Sequence, residues 1–235
     1  MISQTTNETP DALPATRIMS ILILVACLII VVMVAHHPVA KGSGQAEKIL
    51  SLHSVSEANQ FVHGAIMLVL ALLTSAMMHF SALLGFRRPA VLTAAIFYVL
   101  ATVLLFVAMT IDGFVIPMIG ARCATAAVDC LQRTQDMLSL ASIFVQSFTR
   151  IGEFATAIAI LFWSIALLHF AGITRMVGIA AAALPIAHVV LLFGAAAILT
   201  PHSLLMLVGV QIVWYVLVAA LMAGWFGLRL VPRES

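Results

Sequence analysis

Six apolar runs decide what this chain can become. A helix needs roughly 20 mostly apolar residues to cross the hydrocarbon core of a bilayer. Runs of that kind cover residues 18–36, 61–84, 90–116, 151–170, 176–199 and 204–228. They are continuously apolar and lack the alternation of a lipid-facing strand, so helices are expected and a β-barrel is not. Backbone polar groups in lipid must be satisfied within their own segment, which points the same way. The expected fold is an all-α integral membrane protein, a six-transmembrane-helix bundle. Residues 18–228 form a single membrane domain, flanked by a disordered polar tail at 1–17 and a short tail at 229–235. The third run is long and carries Asp112 near its end and Pro117 just after, so tilt or a kink is expected there.

Composition closes other routes. The chain is 63% hydrophobic and 9% charged, against about 25% charged in an ordinary soluble domain. A net charge of +2, dispersed along the chain, gives no nucleic-acid footprint. Three cysteines are too few for a disulfide-stapled scaffold.

The charges orient the bundle. With six spans both termini share one side. That side carries Arg17, Arg87, Arg88, Arg175, Arg229 and Arg233, and its internal loops hold no acid. The other side carries Lys41, Lys48, Arg122, Arg133 and Arg150. Arginines beside short loops favour the first side as cytoplasmic, with N-in and C-in topology in a bacterial-type inner membrane. Cys123 and Cys130 then fall outside, where a short disulfide loop is expected. Cys27 lies mid-span and reads as a small apolar residue. The first outer loop holds a candidate surface helix within residues 47–59. Residues 136–149 are expected to extend span four by a turn or two.

Ionisable groups inside a membrane are rare and costly, so each one is a candidate functional group. His63, Asp112 and Glu153 come from three spans but lie at one level near their outer ends. Arg150, His36, His37 and His202 share that level. Deeper, at mid-plane, lie His188 of span five and Gln211 and Tyr215 of span six. A hydrogen bond across the hairpin of spans five and six is expected there. Pro185 precedes His188 by one turn and frees the carbonyl of Ala181. The candidate ligand-binding set is therefore His63, Asp112, Glu153, His188, Gln211 and Tyr215. The alternative for each is an ordinary interfacial or packing role, with Arg150 and Glu153 neutralising each other on one helical face.

At the cytoplasmic level His79 and His169 close spans two and four, inside a weak similarity between residues 74–80 and 164–170. Carried outward without a gap, it sets His63 opposite Glu153. Spans two–three and four–five would then be related hairpins flanking a central site.

Four function classes remain. The first is binding or transport of a small ligand or ion through an outward-facing polar pocket. The second is a membrane redox protein holding haem b between axial histidines, with His79 and His169, or His63 and His202, as candidates. The third is metal handling by His36, His37, His53, His63, Cys123, Cys130, Met118 and Met137. The fourth is a non-catalytic membrane subunit. Ala219, Ala223 and Gly227 give span six a small-residue row that suits a second copy or another membrane partner. No Gly-x-Ser-x-Gly, His-Glu-x-x-His or phosphate-binding glycine loop is present, so a hydrolytic enzyme is not indicated.

Overall fold

The computed structural model of the chain describes residues 12–123, 128–194 and 199–224, which form helices and short connections. Helix α1 covers Ala12–Ala35 and α2 covers Gln45–Ser54. Helix α3 runs over Ser56–Leu84 and α4 over Pro89–Thr110. A π-helical turn at Ile111–Val115 joins α4 to α5, Ile116–Cys123. Helix α6 covers Val128–Leu167, α7 Ile173–Ala181, α8 Ala183–Gly194 and α9 Pro201–Ala223. Among the described residues six segments are long and apolar enough to cross a membrane: Ala15–Ala35, Ser56–Leu84, Pro89–Ala121, Leu131–Leu167, Ile173–Gly194 and His202–Ala223. They match the six apolar runs in number and order and are consistent with a multi-pass membrane protein.

The breaks between helices have local causes. Gly85, at φ +93°, closes α3, and Pro89 opens α4 at a position where its missing N–H costs nothing. Thr200 and Ser203 form a reciprocal capping box at the start of α9. Gly224 in the left-handed conformation ends that helix. Pro117 cannot donate to the carbonyl of Gly113 and its ring clashes there. The backbone just before it winds into the π-turn, so the irregularity expected in the third span is a bulge carrying Asp112. The fifth span breaks at Ala182, between α7 and α8, where Pro185 cannot bond to Ala181.

Three boundaries differ from expectation. Helix α1 begins at Ala12, so residues 12–17 of the tail expected to be disordered are helical. Helix α6 begins at Val128, more than six turns before the apolar run and eight residues before the extension expected over 136–149. Residues 128–151 contain no proline or glycine, so the helix continues beyond the apolar run although its hydropathy falls. The first loop does contain a helix, α2, but α3 follows it almost at once and extends five residues before residue 61. The bridge expected between Cys123 and Cys130 rests on side chains outside the described set, as does Gly227.

The bundle core is aromatic. Trp163 of α6 and Trp214 of α9 stack at 6.0 Å and 16°. Phe80 and Tyr98 meet Trp163 edge-on or tilted, and Trp163 Nε1 donates to Ser81 Oγ at 3.0 Å. Ser20 Oγ of α1 donates to the Ala219 carbonyl at 2.8 Å, so that part of the small-residue row of α9 faces α1 of the same chain. Leu28, Leu68, Ile96, Ile186 and Val190 are exposed around the outside. A soluble monomer rarely leaves so much apolar surface uncovered, whereas lipid covers it without penalty.

Candidate functional site

Alternating spans bring the end of α1, the start of α3, the π-turn, the middle of α6 and the start of α9 to the end of the bundle that bears α2. Between them lies a cavity of about 270 Å³. Its polar lining is His37, His63, Asp112, Gln146, Thr149, Glu153 and Gln211, set in walls such as Ile30, Ile66, Leu105 and Val208. The Asp112 side chain is 36% exposed, whereas that of Glu153 is 4% exposed and sits beside the fully buried His188. Asp112 therefore marks the mouth and Glu153 the floor.

At the mouth, His63 is held from two sides. Its Nδ1 donates to the Asn59 carbonyl one turn earlier, at 2.8 Å. Its Nε2 lies 3.1 Å from Asp112 Oδ2 and 3.4 Å from His37 Nε2. The His37 and His63 rings meet edge-on at 5.0 Å. Asn59 Nδ2 donates to the Asp112 backbone carbonyl at 2.9 Å, so one asparagine braces both neighbours. Burial and the adjacent His63 hold the His37 imidazole below its ordinary pKa, against the opposing pull of Asp112. Gly113 lets the π-turn approach: a Cβ there would sit 2.4 Å from His63 Cβ.

At the floor, Glu153 Oε2 accepts a short hydrogen bond from Gln211 Nε2. His188 Nε2 lies 2.9 Å from the same oxygen, at ion-pair distance but off the hydrogen-bond axis. His188 Nδ1 has no hydrogen-bond partner among the described residues. Two helices thus converge on one carboxylate oxygen of α6. The expected bond between His188 and the polar group of span six is replaced by this arrangement. Both side chains reach inward to Glu153, and the histidine gains no local carbonyl from the break at Ala182.

Other candidates lie elsewhere. Tyr215 bonds to Tyr98 through their hydroxyls at 2.9 Å, both residues buried, and does not line the cavity. His79 Nε2 lies 3.2 Å from Thr16 Oγ1 at the opposite end of the bundle. His169 and His202 are exposed. Among the described residues the one group of three or more clustered metal-type ligands is His37, His63 and Asp112, which includes none of these three histidines. Arg150 lines a separate groove of about 760 Å³ between α2 and the first half of α6, and Gln146 borders both spaces. Gln146 also clamps the loop before α9, accepting from Leu199 N at 2.8 Å and donating to Leu199 O at 3.1 Å.

Two members of the mouth stand outside the ligand-binding set drawn from sequence. His37 follows span one; its position sets it at the outer polar level and among the metal-type residues, but not in the ligand-binding set. Asn59 precedes its apolar run, and its one signal is a polar side chain four residues before His63, on the same helical face.

No protein-family model, curated protein or solved structure matches the chain.

Proposed function

We propose that this multi-pass membrane protein takes up a small ion or ligand into the α2-end cavity and couples its binding to a proton held at the Glu153–His188 pair. In this reading the α2 end faces away from the cytoplasm, both termini are cytoplasmic, and the host is a bacterial-type inner membrane. The supporting observation is that His63, Asp112, Glu153 and Gln211, from distant parts of the sequence, line a single cavity.

The floor supplies the coupling. A buried carboxylate and imidazole in contact are stable as a neutral unit, either as Glu⁻ with His⁺ or with both groups uncharged. Either form carries one proton. A cation arriving above Glu153 favours the ionised carboxylate and disfavours a protonated His188, so the proton is expelled. When the proton returns, the ligand loses its counter-charge. Intramembrane acids and imidazoles serve as proton relays in this manner. Gln211 holds the carboxylate toward α9 through either state, since its amide can donate to an ionised or a protonated oxygen.

The test is proton movement in liposomes that contain the full chain and a trapped pH-sensitive dye. External Na⁺, Mn²⁺, Zn²⁺ and choline are the probes. At least one should drive proton flux in the wild type, and Glu153→Gln and Asp112→Asn should abolish it, while His79→Ala should not. Silence with every probe, or wild-type flux in both acid variants, would overturn the reading.

A further inference from the structure

We propose that His37 Nε2, His63 Nε2 and an Asp112 carboxylate oxygen form a binding site for a divalent transition-metal ion at the cavity mouth. The proposal rests on the cavity described above but not on transport, since such an ion could be either cargo or a resident centre.

The spacing fits a metal. The three ligand atoms lie within 4.8 Å of one another. Ligands held at zinc-type distances of about 2.0–2.1 Å in a tetrahedron are separated by about 3.4 Å along each edge. The His37–His63 edge is 3.4 Å and the His63–Asp112 edge is 3.1 Å.

Proton arithmetic points the same way. His63 spends its Nδ1 proton on the Asn59 carbonyl. In the neutral ring, Nε2 is then a bare lone pair directed at a carboxylate oxygen and at a second imidazole nitrogen. The contact with the carboxylate is repulsive unless a proton or a metal ion sits between the groups, and the contact with His37 needs either a proton on one ring or a shared cation. A proton on Nε2 is the simplest cation, and a metal ion is the one that uses all three ligands together. The Nδ1–H to carbonyl bond is the usual way in which a protein fixes a metal-binding imidazole.

The donors also choose among metals. Two imidazoles and one carboxylate suit zinc, iron(II), manganese and cobalt better than copper(I), which takes sulfur, or calcium, which takes an all-oxygen cage. Three protein ligands leave the remaining positions open, and all three residues line the cavity. An open site is one at which exchange or chemistry occurs, whereas purely structural zinc sites are closed by four protein ligands.

Tag-free, full-length protein in detergent would be titrated with Co²⁺, whose visible bands report imidazole and carboxylate coordination, and then with competing Zn²⁺. One ion per chain is expected. His63→Ala and Asp112→Asn should each weaken binding by roughly tenfold or more, whereas His79→Ala and His202→Ala should leave it unchanged. His37→Gln lies outside the spans and tests the site where the other variants do not fold. Zinc-edge X-ray absorption of the wild type needs no variant and should show nitrogen and oxygen at about 2.0–2.1 Å. A sulfur shell would move the metal to the cysteines and overturn the proposal. So would absent Co²⁺ binding, or binding indifferent to all three ligand variants. Proton flux that fails in Glu153→Gln without any metal binding would sink this site and leave the carrier standing. Metal binding without flux would do the reverse.

Discussion

Glu153 and His188 meet at 2.9 Å in the interior of the bundle, and neither side chain is more than 4% exposed. Thirty-five positions apart in sequence, they reach contact because α8 packs along α6. Removing one partner of a buried pair strands the other. His188→Leu should therefore destabilise the protein by about 3–5 kcal/mol. The double variant Glu153→Gln/His188→Leu should lose clearly less than the sum of the two single losses. Thermal unfolding of the purified variants in one detergent gives the cycle, and simple additivity would show that the two groups are not coupled.

Gly113 is where the π-turn touches α3. An alanine methyl there would need the space of His63 Cβ and Cγ, at 2.4 and 2.7 Å. Gly113→Ala should destabilise by about 1–3 kcal/mol and displace His63 from Asp112, weakening Co²⁺ binding as well. Gly64→Ala is the matched control, since its added methyl meets nothing closer than Phe114 Cζ at 4.0 Å. It should be neutral or stabilising by up to about 1 kcal/mol, as glycine is a poor helix residue. Equal losses in both variants would contradict the contact.

Tyr98 and Tyr215 share a buried hydroxyl contact of 2.9 Å. Tyr215→Phe leaves the Tyr98 hydroxyl without that partner and should cost about 1–3 kcal/mol. Because neither residue lines the cavity, flux and Co²⁺ affinity should persist. A Tyr215→Phe protein with wild-type stability and no flux would return this residue to the polar path.

Glu47 lies on the surface, where its carboxylate accepts from Ser43 N at 2.8 Å and from Ser43 Oγ at 2.9 Å. These bonds hold its pKa below the ordinary value. The depressed value means that the ionised form supports the start of α2 at and above the usual carboxylate range. That support is lost as pH falls through the folded-state pKa. Amide exchange in α2, corrected for intrinsic rates, should rise on acidification in the wild type. In Glu47→Gln it should already be raised at neutral pH and respond less to acid. Identical pH profiles would remove the carboxylate from this role.

Much of the fold was legible because hydropathy is a one-dimensional property. Each span must cross the bilayer alone, so runs such as 61–84 and 204–228 declare themselves without their neighbours. The proline effects at Pro117 and Pro185 are equally local, since a missing N–H acts one turn away. Helix α6 was legible in its apolar half and in the short extension expected within residues 136–149. Its extension back to Val128 depends on the absence of breakers rather than on hydropathy.

The candidate site divides along the same line. Counting residues along apolar runs sets His63, Asp112 and Glu153 at an outer level and His188 and Gln211 deeper, whereas the structure joins Glu153 to the deeper pair. Depth says nothing about which face of each helix a residue occupies. Rotation and packing against the neighbouring helices put Tyr215 against Tyr98 and turned Gln211 and His188 onto a single oxygen of Glu153. They also brought His37, from beyond the end of α1, to 3.4 Å from His63. The sequence by itself determined a six-span membrane chain and the short roster of side chains that sit there at a cost. Only the tertiary structure decided which of them meet. Burial energy in a bilayer acts on each helix separately, whereas contact between side chains depends on how all the helices are turned together.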